Sequence, residues 1–165
     1  MSSYFIKLNT VSRCVPFLKN IIPILEFNLV YGQNYVAIID PEILEDDEKI
    51  YGLIKKFDID KKKKVSIFKV TPNSCYNWHT DGIRCAAINM LLIGYDSMTL
   101  MGRRDGVFFR NIERVPYEPN RYVMINTSVS HSVYNFAEDR YLLSLGIPME
   151  FSYQEVANYI KENEL

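Results

Sequence analysis

Histidine is almost missing from this chain: His79 and His131 are the only two among 165 residues. Cysteine is nearly as scarce. Cys14, Cys75 and Cys85 form no CxxC pair, and an odd, unpatterned set argues against a disulfide framework and for a reducing compartment. Cys75 and Cys85 flank the His79 region and read as core, because free cysteine packs like a small hydrophobe. Surplus charge is also lacking. The formal net charge is -1, so no global basic field exists to track a nucleic acid, and nucleic acid is not an expected partner. The local exception, KKFDIDKKKK at 55–64, reads as a solvated turn between a helix and a strand rather than a dock for an acidic partner. No apolar run nears the ~20 residues that span a bilayer. The opening MSSYFIKLNT lacks the basic-then-apolar order of a secretory leader, so a soluble, cytoplasmic protein is expected. Repeats, low-complexity tracts and Gly/Ser linkers are missing too.

What remains is a chain with 48% hydrophobic residues, too apolar to be disordered and of a length that suits one domain, 1–165. Residues 1–34 carry no clear period, and PFLKNIIPILEFN is broken by Pro16 and Pro23. YVAIID (35–40) reads as a strand. PEILEDDEKIYGLIKKF (41–57) reads as one helix, with Asp40 as cap, Pro41 in its first turn and an apolar face of Ile43, Leu44, Ile50, Tyr51 and Ile54. After Lys64 the period changes to two. Eight β-prone runs follow, from KVSIFKVT to RYLLSLGIP, separated by turn signals such as GYDS, RRDG and YEPN. That pattern predicts a sandwich or jelly-roll barrel with its core at 64–147. The tail SYQEVANYIKENE predicts a helix with Ser152 as cap and Glu155 at the capping-box position. The expected class is α+β: helices first, a β unit, and a short closing helix.

Both histidines fall inside that β unit. In NWHTDG, His79 precedes Asp81 by two residues, and residues i and i+2 of a strand share a face. His131, on a later predicted strand, can supply a third corner. Two neutral imidazoles and one carboxylate make the facial triad of non-haem iron(II), which leaves open positions for other ligands. Alone, His79 reads as a core histidine, Asp81 as a turn residue before Gly82, and Arg140 as a surface partner of Glu138 or Asp139. Together they read as a site: Arg140 follows His131 by nine residues, and arginine grips a carboxylate through paired hydrogen bonds. Arg84 and Tyr76 divide between site and scaffold. Trp78 should face away from the metal and pack. Arg103, Arg104 and Arg110 in MGRRDGVFFRN read as solvated charge.

WHTDG…R…INMLL together with INTSVSHSVYNFAEDRYLLSLG resembles the iron(II)- and 2-oxoglutarate-dependent dioxygenases over roughly residues 64–147. The resemblance implies a double-stranded β-helix (jelly-roll, cupin-like). It implies iron held by His79, Asp81 and His131, and 2-oxoglutarate held as cosubstrate by Arg140, with Arg84 and Tyr76 as further contacts. It also implies hydroxylation of an unactivated C–H bond in a small-molecule or peptide substrate, with ascorbate as a possible requirement for activity. VTPNSCYNWHTD is similar to the prolyl-hydroxylase branch, with Tyr76 as its aromatic three residues ahead of the first histidine. Val70 and Asn73 stand where that branch has a tyrosine and a glycine. INTSVSHSVYN…R is similar to the aspartyl/asparaginyl-hydroxylase branch, whose arginine after the first histidine Arg84 would match. Ala86 and Ala87 are expected to leave room for the cosubstrate. Rival readings are a jelly-roll zinc metalloenzyme, a non-catalytic β-barrel binding module and a nucleic-acid demethylase.

Overall fold

The structure is a computed structural model that describes residues 4–32, 34–59 and 64–165. Positions 60–63 of the lysine cluster lie outside the described residues. The chain does not open on a helix, as expected, but on a strand, β1 (Phe5–Val11). Helix α1 (Val15–Ile21) and a short 3-10 helix (Ile22–Ile24) follow, then β2 (Asn28–Tyr31) and β3 (Asn34–Ile38). The two prolines that obscured this segment each occupy the first turn of one of these helices, where the missing N–H costs nothing.

The helix expected over 41–57 is divided. Pro41–Leu44 is a 3-10 turn, with the Asp40 carboxylate accepting from the Glu42 N–H, and α2 begins only at Glu48 and runs to Lys56. The break has a tertiary cause. Asp47 is buried, and its carboxylate accepts from Ser12 Oγ at 2.5 Å, Arg13 N at 2.7 Å and Tyr122 Oη at 2.6 Å. These three donors hold its backbone at φ -92°, ψ 64°, outside the helical region.

All eight predicted strands are present: β4 (Val65–Val70), β5 (Ser74–His79), β6 (Arg84–Ile93), β7 (Met98–Asp105), β8 (Phe108–Arg114), β9 (Arg121–Asn126), β10 (His131–Asn135) and β11 (Arg140–Pro148). A seven-stranded sheet runs β1-β9-β6-β11-β4-β3-β2, and a four-stranded sheet runs β5-β10-β7-β8. The pairings are antiparallel. This is a double-stranded β-helix. The larger sheet is covered on both faces, which is why β6 reads as an almost continuous apolar run. Ile88, Met90 and Leu92 pack toward the helices with Leu18, Leu53, Ile54, Val156 and Ile160. Ala87 joins Met101, Val123 and Ile125 in a second cluster. Helix α3 (Tyr153–Glu162) closes the chain with the predicted capping box: Glu155 N–H donates to Ser152 Oγ, and Glu155 Oε2 accepts from Ser152 N–H. No helix among the described residues is long and apolar enough to cross a membrane.

Candidate metal centre

The antiparallel pairing of β5 with β10 sets His79 directly opposite His131. Their rings lie 4.2 Å apart between centroids. His79 Nε2 is 3.8 Å and His131 Nε2 is 4.0 Å from Asp81 Oδ1, and the three donor groups lie within 4.8 Å of one another. These spacings exceed a hydrogen bond, so the groups converge on a point without satisfying each other. Each ring is oriented by its own strand. His79 Nδ1 donates to Asn77 O at 2.6 Å, and His131 Nδ1 donates to Val129 O at 3.0 Å. A carbonyl only accepts, so the proton sits on Nδ1 and each Nε2 presents a lone pair toward Asp81. Burial, above all, pushes the His131 pKa down to about 4, which keeps that ring neutral near pH 7.

Asp81 lies two residues past the His79 end of β5 rather than on the strand itself. Its position is fixed by two other ties. Its N–H donates to Thr127 O at 3.0 Å, and its Oδ2 accepts from Arg84 Nε, leaving Oδ1 toward the histidines. Arg84 also donates to Ser144 Oγ at 3.2 Å and stands over the Phe68 ring. Simple alternation would put Arg84 beside Ala86 and Ile88. A register shift opposite Pro148 and Ile147 inserts one extra residue in β6, which turns Arg84 the other way, into the cavity. Ala86 lies on the regular side of that shift and faces the helices by alternation with Ile88 and Met90, so only Ala87 faces the space between the sheets, and Ala86 does not make room for a ligand. A second irregularity, between the Tyr76–His79 and Val133–His131 pairs, lets Tyr76 lie against the His79 ring at 4.1 Å.

A cavity of about 60 Å3 runs between the sheets from the triad to Arg140. Arg140 is 1% exposed. Its Nε donates to Ser97 Oγ at 3.0 Å, its Nη2 donates to Thr99 Oγ1 at 2.9 Å, and it stands 5.6 Å from the Tyr117 ring centroid. Among the described residues no carboxylate pairs with it. Burial lowers its pKa, as expected for a cation removed from water without a counter-ion. Two further buried polar atoms face this cavity: Asn89 Oδ1 has no hydrogen-bond partner among the described residues, and Tyr117 Oη meets no strict hydrogen-bond geometry there although it lies close enough to favour the Arg140 charge. The alternative reading of Arg140, a surface pair with Glu138 or Asp139, is not what forms among the described residues; Asp139 pairs instead with Lys69.

Ser97, Thr99, Asn89 and Tyr117 carried no signal in the sequence that singled them out. Thr99 was findable by alternation within SMTLM once the strand's inner face was known. Tyr117 sits in the connection between β8 and β9, where no period exists. Trp78 packs as expected, stacked on Phe109 with centroids 4.1 Å apart. Cys85 is buried as expected, but Cys75 is exposed, because it shares the outer face of β5 with Asn77.

No family model matches the sequence, and no curated protein matches it. Solved structures do match in fold. A prolyl hydroxylase from Trichoplax adhaerens, in complex with a hypoxia inducible factor oxygen degradation domain peptide fragment, aligns with 95% of this chain and 87% of its own, at TM-score 0.65 and 14% identity. A Pseudomonas putida prolyl-4-hydroxylase aligns over 86% and 90%, at 0.61 and 14%. HygX from Streptomyces hygroscopicus, with nickel, 2-oxoglutarate and hygromycin B bound, aligns over 90% and 84%, at 0.63 and 12%. The chain shares the double-stranded β-helix fold of these solved structures.

Proposed function

We propose that the protein is an iron(II)- and 2-oxoglutarate-dependent dioxygenase that hydroxylates an unactivated C–H bond of a peptide side chain, amino acid or small metabolite. One observation carries this reading: a fully buried guanidinium, without a counter-ion among the described residues, shares one cavity with the two histidines of a convergent His/Asp/His set. A buried cation is costly until an anion meets it, so the cavity calls for a ligand that brings a carboxylate to Arg140 and can reach the triad. A zinc hydrolase would use the triad and leave Arg140 unexplained. The similar structures are consistent in kind, one in complex with a peptide fragment and one with nickel, 2-oxoglutarate and hygromycin B bound.

In this reading His79, Asp81 and His131 would hold the iron, and positions left to other ligands would accept the cosubstrate. Iron(II) with 2-oxoglutarate supplies the oxidation: one atom of dioxygen goes to the substrate carbon as hydroxyl, the other to succinate, and carbon dioxide is released. The chain's own residues do the rest. Arg140 neutralises the far carboxylate of the cosubstrate, Ser97 and Thr99 hold the guanidinium in place, and the Tyr117 hydroxyl donates to the same carboxylate. Arg84 holds Asp81 so that one oxygen faces the metal. Phe68, Val70, Ile125, Val133 and Leu142 line the cavity and exclude water. The test is succinate formation coupled to substrate hydroxylation, screened over peptides and small metabolites with iron(II), 2-oxoglutarate and ascorbate. Equimolar succinate and hydroxylated product support the reading. Hydrolysis without succinate, supported by zinc, contradicts it.

A further inference from the structure

The hairpin of β7 and β8 is left unexplained by the metal centre. Thr99, Met101 and Arg103 alternate along β7 and so share one side of it. Thr99 meets Arg140 at the cavity floor, and Met101 pairs with His131 at the level of the triad. Arg103 is the next residue in that row, beyond the triad and exposed. Across the hairpin Arg103 stands directly opposite Arg110, a like-charge pair that weakens an isolated hairpin. Arg110 is engaged by Asp105 at 2.7 Å, whereas Arg103 has no ion pair among the described residues. Phe108, opposite Asp105, is 73% exposed, and Val107 at the tip is 82% exposed. Phe109 stacks on Trp78, the neighbour of His79, which ties this arm to the metal-bearing strand.

From Arg103 to Arg114 the hairpin carries four arginines against Asp105 and Glu113, in a chain whose net charge is -1. Its outer strand, β8, is the edge of its sheet and presents seven residues, roughly 23 Å of extended backbone. That length exceeds a small metabolite and matches a stretch of peptide. Edge strands with exposed apolar side chains are normally blunted, and one left open beside a site suits peptide docking. We infer that the substrate is an acidic polypeptide segment, docked along the β7–β8 hairpin with a carboxylate on Arg103 and its apolar side chains against Val107 and Phe108. This rests on the dioxygenase reading and specifies its substrate class.

The test uses fluorescence anisotropy with the full chain and three labelled 12-residue peptides. They share alternating valines and differ only in the intervening residue: glutamate, glutamine or lysine. A single-stranded oligonucleotide of 12 nucleotides is the fourth probe. The expected order is glutamate peptide at least tenfold tighter than glutamine peptide, with no binding of the lysine peptide. Arg103→Glu should reverse that preference toward lysine, and Phe108→Ala should weaken the glutamate peptide about tenfold. Equal affinity for all three peptides, an unchanged preference in Arg103→Glu, or tighter binding of the oligonucleotide would overturn the inference. 2-Oxoglutarate binding, measured separately with manganese(II) in place of iron, reports on the metal reading alone. Loss of 2-oxoglutarate binding with retained peptide selectivity sinks the dioxygenase reading and not the docking surface.

Discussion

Two arginines near the centre are given different work by their surroundings. Arg84 touches Asp81, and Arg140 touches no acid among the described residues, so in the proposed reading Arg84 would serve the metal ligand and Arg140 the cosubstrate. Removing Arg84 frees a ligating carboxylate from its orienting partner. Arg84→Ala should therefore weaken metal affinity about 10- to 100-fold, the usual size of an outer-shell effect. Calorimetric titration with manganese(II) reads this directly. An unchanged metal affinity with lost 2-oxoglutarate binding would return Arg84 to the role its place after the first histidine implied. Arg140→Ala should show the opposite pattern: the metal stays, and 2-oxoglutarate binding falls by about 2–5 kcal/mol, at least ~30-fold. Equal loss of both would make Arg140 structural. That His79, Asp81 and His131 converge was legible from residue type and spacing, and so was Arg140 as their companion. Tyr117 and Asn89 were not, since their significance lies in buried polar atoms that face the cavity, a property only the folded chain has.

Among the elements, period and cap chemistry located every strand of the β unit and the closing helix. The misses share one cause, tertiary contacts that override local preference. Asp47 stops the run expected over 41–57 because Ser12, Arg13 and Tyr122 converge on it from β1, α1 and β9 surroundings. An extra residue in β6 reverses the side to which Arg84 points. Helix α3 carries a buried defect of its own. The Tyr153 hydroxyl at its first residue has no hydrogen-bond partner, and burial pushes its pKa up to about 12. Tyr153→Phe should raise stability by about 1 kcal/mol at pH 7, seen as a higher urea midpoint, because an unsatisfied hydroxyl is removed. The same residue sets an alkaline dependence. Its folded pKa is raised above the ordinary tyrosine value of 10, so its contribution is whole below pH 10 and lost as the pH rises through about 12. The variant should lack that part of the alkaline decline; an identical decline would assign it to other groups.

At the scale of the molecule, two sheets and one layer of helices divide the labour. The helix-facing cluster holds the larger sheet, and the space between the sheets is kept for polar groups that no core would tolerate unpaired. Jelly-roll architecture was legible from eight short strands with turn signals, and β3 from YVAIID, whereas β1 and β2, which widen the larger sheet at its two edges, were hidden in a segment without period. The account depends on one meeting point. Anaerobic titration of the protein with iron(II), followed by metal analysis after gel filtration, tests it most directly. One equivalent of iron per chain is predicted, retained in Arg140→Ala and lost in Asp81→Ala and in His131→Ala. Stoichiometric iron in all three variants, or none in the parent protein, would contradict it.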